Sequence, residues 1–245
     1  MPSWRSRLLF PLWRLRGADR GLRHAAHVMV LNHEDATFAQ TYYGRRPEDV
    51  TVLRHGVEPT TVTAADVPSG TFTVLFLGSW LPRKGIGTLI DAATRLVARG
   101  THVRWVLAGT GGTAADILPQ FPEHLRAHVE VIPWFAPARE EQLLRDAHVF
   151  VLPSYFEGQP LALLQAMATG RCCVTTDCCG QRDLITHGET GLLFAPGDAA
   201  AFTEHLARCA NDPALRHQLG AGAQRAVASR TWTAAFDQVW ELSSR

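Results

Sequence analysis

The sequence predicts an α/β fold, a Rossmann-like parallel sheet with helices on both faces, and three observations carry that expectation. From Phe72 onward, short β-branched or apolar runs alternate with longer stretches of helical periodicity, the order of a parallel sheet and its covering helices. Glycines stand where the helical stretches end, at Gly100 and Gly170, and glycine accepts the left-handed conformation that closes a helix. With 46% apolar and 19% charged residues among 245, the chain has ample material for a buried core.

At the N-terminus, WRSRLLFPLWRLR mixes Arg5, Arg7, Arg14 and Arg16 with Trp4, Leu8, Leu9, Phe10, Leu12 and Trp13. It reads as a helix packing its apolar side on the protein, interrupted at Pro11; the alternative is peripheral contact with an anionic membrane surface. Runs at 27–32 and 50–53 are strands on either side of a helix over 35–43, too little for a domain of their own. The polar stretch 58–70, with Pro59 and Pro68, reads as a linker. Six strands follow, TVLFL (73–77), VRWVLA (103–108), VEVI (129–132), VFVL (149–152), CCVTT (172–176) and LLF (192–194). Helices over 86–99 and 161–169 lie between them, and Asp198 and Asp212 cap helices that start at Ala199 and Pro213. A last helix, 233–243, carries an apolar stripe of Phe236, Val239, Trp240 and Leu242 that suits a partner surface or self-association. The division is therefore 1–57 for a first part too short to be a domain by itself, 58–70 for the linker, 71–230 for the Rossmann-like domain and 231–245 for the terminal helix.

A formal net charge of +1 argues against a dedicated nucleic-acid binder. The apolar runs are too short to span a bilayer and the N-terminus lacks a cleavage-site pattern. A cytoplasmic location is expected, with the arginine-rich start compatible with the inner face of the membrane. Five cysteines, mostly crowded into CCVTTDCC, do not look like a disulfide framework and fit a reducing compartment. Cys172 and Cys173 are adjacent in a strand and point to opposite faces, which disfavours a tetrahedral zinc site. They read as small buried hydrophobes, with Cys178 and Cys179 in the following loop.

Two loops at the carboxyl ends of strands, where open parallel sheets bind ligands, hold the residues with chemistry. LGSWLPRKG (77–85) places Arg83 and Lys84 just before a helix. Cations next to a glycine turn and helix N–H groups suit a phosphate, although a surface lysine beside a turn is commonplace. AGTGG (108–112) turns similarly around Gly109, with a plain tight turn as the equal reading. PSYFEGQPLALLQAMATG (153–170) ends a strand, puts Glu157 in a loop and opens a helix near Pro160 and Leu161. Gln165, eight positions after Glu157, stands about one turn inside that helix and is expected to look toward the same crevice. Trp134 and Phe135 follow the third strand; core packing is the ordinary role for each, and stacking on a nucleobase is the alternative for either.

On these residues the sequence resembles the glycosyltransferase family four group, the group 1 glycosyl transferases, over essentially all of 71–245. PS-x-x-EG-x-P-x-x-LL, AMA-x-G, G-x-x-x-P-x-KG at Gly78 to Gly85 and HGETGLLFAPGD at 187–198 carry it. The resemblance implies one half of a GT-B fold, a nucleoside diphosphate sugar as donor, no cofactor and no metal. It implies transfer, with retention, to the hydroxyl of a glycan, lipid or small-molecule acceptor. Glu157 is implied to contact the donor sugar. Lys84, joined by Arg83, and the N–H groups near Leu161 are implied to stabilise the departing phosphate. Gly158 would let the backbone approach the sugar, and Gly78, Ser79, Gly109, Gln159 and Pro160 complete the donor-binding set.

Two positions depart from the family pattern. The family's second glutamate, implied to hold the ribose hydroxyls, is matched by Gln165, whose amide offers one accepting and one donating end; the lost charge should weaken nucleotide binding by about 1–2 kcal/mol. The arginine implied to touch the diphosphate is matched by Ser79, with Arg83 as the candidate replacement. Upstream, YG at 43–44 and HGVE at 55–58, where NGVD is usual, resemble the end of the family's N-terminal domain. Most of that domain, with its glycine-rich loop and acceptor surface, has no counterpart in this sequence. A rival reading is therefore a binding or regulatory subunit that catalyses nothing. A third is a truncated reading frame or a chain completed by a separate N-terminal half. The isolated chain is expected to bind a nucleoside diphosphate weakly and to transfer no sugar.

Overall fold

The computed structural model of the protein describes residues 19–66 and 68–243; the arginine-rich opening segment lies outside them. Two compact units, Met1–Arg54 and His55–Arg245, divide the chain. In the first, helix α1 (Asp19–His24) precedes strand β1 (Val28–Val30), helix α2 (His33–Tyr43) and strand β2 (Val50–Val52). β1 and β2 pair in parallel, Val28 opposite Val50, so α2 is the crossover of one βαβ turn. α2 begins at His33 rather than Asp35 because Asn32 caps it, accepting the Asp35 N–H at 2.7 Å.

The second unit runs β3 (Thr73–Leu77), α3 (Ile86–Ala98), β4 (Arg104–Ala108), α4 (Ala114–Ile117), β5 (Val129–Ile132), α5 (Glu140–Asp146), β6 (Val149–Leu152), α6 (Leu161–Ala168), β7 (Cys172–Thr176), α7 (Cys179–Leu184) and β8 (Leu192–Phe194). It closes with α8 (Ala199–Asn211), α9 (Pro213–Val227) and α10 (Trp232–Ser243). Its six strands form one parallel sheet in the order β5-β4-β3-β6-β7-β8, flanked by helices. The chain winds outward from β3 in one direction, returns to set β6 against β3, and continues the other way. The loops after β3 and β6 therefore flank the topological switch point, where doubly wound sheets open a crevice. β3, β6 and β7 are buried along their whole length, which is why they read as continuous β-branched or apolar runs instead of alternating ones. α3 packs against α8, and α9 against α6 and β7. Phe76, Trp105, Phe121, Phe150 and Phe202 are the bulkiest fully buried side chains of this core.

Segment 58–70 contains no helix or strand among its described residues, yet it is tied down rather than slack. The buried guanidinium of Arg171, just before β7, donates to the carbonyls of Thr63 at 2.5 Å, Asp66 at 2.8 Å and Thr169 at 3.2 Å. Gln224 of α9 donates to the Val62 carbonyl at 3.2 Å, and Val62 itself is fully buried. Composition suggested a linker because these partners lie about a hundred residues or more away along the chain.

All five cysteines are buried. Cys172 and Cys173 fill β7, but Cys178 and Cys179, read as loop residues, are the N-cap and first residue of α7. Burial pushes the Cys173 thiol up, and the hydrogen bond to Cys209 together with burial does the same for Cys172. α10 has no buried side chain: Phe236 and Trp240 are exposed and stack on each other with centroids 6.1 Å apart. No helix among the described residues is long and apolar enough to cross a membrane.

Three histidines make the second unit acid-sensitive. Burial lowers the affinity of His55, His148 and His205 for a proton, aided by Arg230 at the first and Arg216 at the second. His148 Nδ1 accepts the Thr73 N–H at 3.1 Å, a bond that protonation would abolish. Because the unfolded chain binds protons more readily at these sites, their stabilising effect is complete above the unfolded value of about 6.5 and is lost as pH falls below it. The melting temperature should fall steadily from about pH 7.5 to about pH 5; scanning calorimetry that shows a flat profile there would contradict this account.

Candidate functional site

Two loops that approach more closely than any side chain would allow build the site. After β3 the chain turns at Gly78, whose N–H bonds to the Ala108 carbonyl at 2.9 Å, and makes one tight turn over Pro82–Lys84 before α3. Gly85 closes that turn at φ 71° and lies against Pro153, where an added Cβ would sit 1.8 Å from the Pro153 carbonyl oxygen. The Tyr155 N–H reaches the Arg83 carbonyl at 2.9 Å and ties the two loops a second time.

This seating brings Lys84 to Glu157. Lys84 Nζ donates to Glu157 Oε1 at 2.5 Å, and Ser154 Oγ donates to the same oxygen at 2.7 Å. The side chains of Lys84 and Glu157 are only 14% and 11% exposed, so the pair is shielded from water and salt. Arg83 Nη1 lies 3.8 Å from Glu157 Oε2 but is 54% exposed, a contact of little energetic weight. From below, Thr176 Oγ1 and Gln181 Nε2 both donate to the Ser154 carbonyl, and the Gly180 N–H donates to the Glu157 carbonyl at 3.1 Å. A Cβ on Gly180 would fall 1.8 Å from the Gly158 carbonyl oxygen, so that second close approach also requires glycine.

Two cations face one carboxylate, leaving a net positive charge at the mouth. Beside it, α6 starts at Leu161 after Pro160 with no side chain capping its first N–H groups. Orphan helix amides and uncompensated cationic charge together favour a phosphate-like anion. Among the described residues, no group of three or more His, Cys, Asp or Glu stands close enough to hold a metal ion.

The remaining candidates divide. Gly78 lies beside the stem of Lys84, and Ser79 is exposed in the same loop. Gly109 turns at φ 70° with the Phe135 ring 3.2 Å from the place a Cβ would occupy. Phe135 joins the core from there. Core packing, the ordinary expectation for both aromatics, fails for Trp134, which is 78% exposed, because the chain leaves β5 with Phe135 turned inward. Gly158 presents its carbonyl to Gly180 at close range.

Gln159 and Gln165 differ most from expectation. Gln159 Oε1 accepts the His55 N–H at 2.5 Å and lies 3.5 Å from Arg230 Nη1. Gln165 accepts the Glu58 N–H at 3.1 Å through Oε1 and donates to the Glu58 carbonyl at 3.3 Å through Nε2. Both amides are thus engaged with the backbone of 55–58 rather than aimed solely into the crevice. Sequence reasoning also missed Ser154, Thr176 and Gln181. Ser154, a hydroxyl three residues before the acid, was legible in principle; Thr176 and Gln181 carry no local signal.

The family model described as glycosyl transferases group 1 matches residues 71–212. The chain is 31% identical to phosphatidyl-myo-inositol mannosyltransferase of Mycobacterium tuberculosis over 69% of its own length and 46% of the relative's. It is 29% identical to D-inositol 3-phosphate glycosyltransferase of Kribbella flavida over 87% of its own length and 55% of the relative's. The chain thus spans about half the length of the curated relatives it matches. Its fold superposes on Alr3699/HepE of Anabaena, solved in complex with UDP and glucose, with a TM-score of 0.76 at 20% identity, covering 100% of this chain and 70% of that one.

The ion pair makes a stability prediction. Lys84→Met leaves the Glu157 carboxylate buried without its nearest cation and should cost about 3 kcal/mol in urea denaturation. Glu157→Gln should cost less, since an amide oxygen still accepts from Ser154. Equal midpoints for Lys84→Met and the unaltered chain would mean that the pair does not hold the loops together.

Proposed function

The chain belongs to the group 1 glycosyl transferases, and we propose that it supplies the donor-binding half of an enzyme that moves a sugar from a nucleoside diphosphate to an acceptor hydroxyl with retention at the anomeric carbon. The observation that carries this reading is the Lys84–Glu157 pair at the switch point, backed by the uncapped start of α6. The UDP and glucose bound by the Anabaena protein of the same fold support a nucleotide sugar as ligand.

In this reading the diphosphate sits between Lys84, Arg83 and the first N–H groups of α6. As the bond between the anomeric carbon and the phosphate oxygen breaks, negative charge grows on the phosphate. The fixed cation and helix amides stabilise it without reorganising, and that supply of positive charge makes a divalent metal unnecessary. Glu157, held by Lys84 and Ser154, faces the sugar and favours the positive character of its anomeric carbon. Trp134 offers an exposed ring for the nucleobase. The acceptor hydroxyl reaches the sugar from a surface supplied by a further domain or a second chain, and the exposed stripe of α10 is a candidate contact for it.

Isothermal titration with UDP and GDP tests the reading. One of them should bind, Lys84→Ala should weaken it about tenfold or more, and Trp134→Ala should weaken it less while its fluorescence change on binding disappears. Sugar transfer is expected only when an N-terminal half is supplied. Binding unaffected by Lys84→Ala in a folded variant would sink the proposed phosphate site.

A further inference from the structure

At the amino ends of β6 and β7 a small, half-open cavity lies where segment 58–70, β7 and the start of α9 come together, and its charged lining is all of one sign. Arg171, Arg216, His148 and His217 line it beside Pro68 and Gly170, and no aspartate or glutamate does so among the described residues. Arg171 is only 3% exposed. Three of its five N–H donors go to the carbonyls of Thr63, Asp66 and Thr169, which leaves one on each terminal nitrogen without a protein acceptor among the described residues. Arg216 donates through Nη1 to the Cys209 and Ala210 carbonyls and covers the Phe72 ring at 5.6 Å, again with no carboxylate partner among the described residues. The carboxylates next to the cavity are committed elsewhere. Asp66 accepts the Thr63 N–H at 2.7 Å and its hydroxyl at 3.0 Å, and Asp212 caps α9 by accepting the Leu215 N–H at 2.9 Å. A buried cation ordinarily has an anion beside it, because neutral carbonyls only partly replace the water it has lost. Burial accordingly lowers the hold of Arg171 on its proton.

We propose that this cavity binds a phosphate group, held by the spare N–H donors of Arg171 and Arg216 with His217 at the mouth. Donors reach the cavity both from the start of β7 and from α9, so an ion with acceptors on every side satisfies them, and two guanidiniums match a dianion in charge. None of the lining residues stands on the loops that bear Lys84 and Glu157, and the inference does not rest on the nucleotide reading. Through Arg171 the ion acts on the carbonyls of Thr63 and Asp66, so its binding tightens the hold of β7 on segment 58–70. The phosphate is either the free ion or the ester group of a small metabolite whose remainder lies outside the opening.

The test is a residue-resolved NMR titration of the full chain with inorganic phosphate at constant ionic strength, with chloride as the control. The amides of Gly170, Cys172 and His217 should shift saturably with a dissociation constant on the order of 1 mM. At about ten times that concentration the melting temperature should rise by about 3–5 °C over the chloride control. His217→Glu alters an exposed residue and sets a carboxylate at the mouth, so the folded variant should bind phosphate at least about tenfold more weakly. Arg216→Gln should remove the response and Arg216→Lys should restore part of it. Lys84→Ala should leave the Gly170 shift unchanged, which separates this cavity from the proposed nucleotide site. Glycerol 3-phosphate in place of the free ion tells the two sources apart: tighter binding assigns the cavity to a phosphorylated metabolite, equal or weaker binding to phosphate itself. Amides at these positions that ignore phosphate, or a response as strong in His217→Glu as in the unaltered chain, overturn the proposal and leave the nucleotide reading untouched.

Discussion

Everything at the mouth of the sheet depends on two loops being seated so tightly that Lys84 must share the Glu157 oxygen with Ser154. A shielded lysine and carboxylate each carry a desolvation cost that only their mutual attraction and a full set of hydrogen bonds can offset. The surrounding structure provides that set. Gly85 lets the first loop touch Pro153, and Gly180 lets α7 touch Gly158. Thr176 and Gln181 satisfy the Ser154 carbonyl from beneath. The pair is thus less a source of stability than a device that holds two charges in a fixed relation, as a site acting by electrostatic preorganisation requires.

The sheet order is what brings these two loops side by side. With β3 and β6 adjacent and the crossovers departing in opposite directions, the loops after these strands have no helix packed between them. Cationic charge, uncapped α6 amides and the exposed Trp134 ring all stand on loops at the carboxyl edge of the sheet. The opposite edge is given over to anchoring, where Arg171 and Gln224 hold segment 58–70 through backbone carbonyls.

Glutamines near the site show how a substitution can be read in two directions. Set beside the family pattern alone, Gln165 is a weakened ligand. Set beside its partners, it is a group matched to the Glu58 backbone, and Gln159 does the corresponding work at His55. The proposed donor site and the fastening of the chain's entry into the larger unit therefore meet at one helix, α6.

The six strands, the helix ends at Gly100 and Gly170, the caps at Asp198 and Asp212, and the loops that bear Lys84 and Glu157 can all be read from the residues alone. These features are legible because burial on both faces, left-handed glycine and capping hydrogen bonds act within a few residues. The packing of the layers sets β3 beside β6, so that Lys84 meets a carboxylate 73 positions away. The same packing turns Phe135 inward while Trp134 stays out, clamps segment 58–70, and brings Gln165 to Glu58 across 107 positions. Such partners are chosen by how layers pack, and a hydrogen bond between residues far apart in the chain leaves no periodicity behind for the sequence to display.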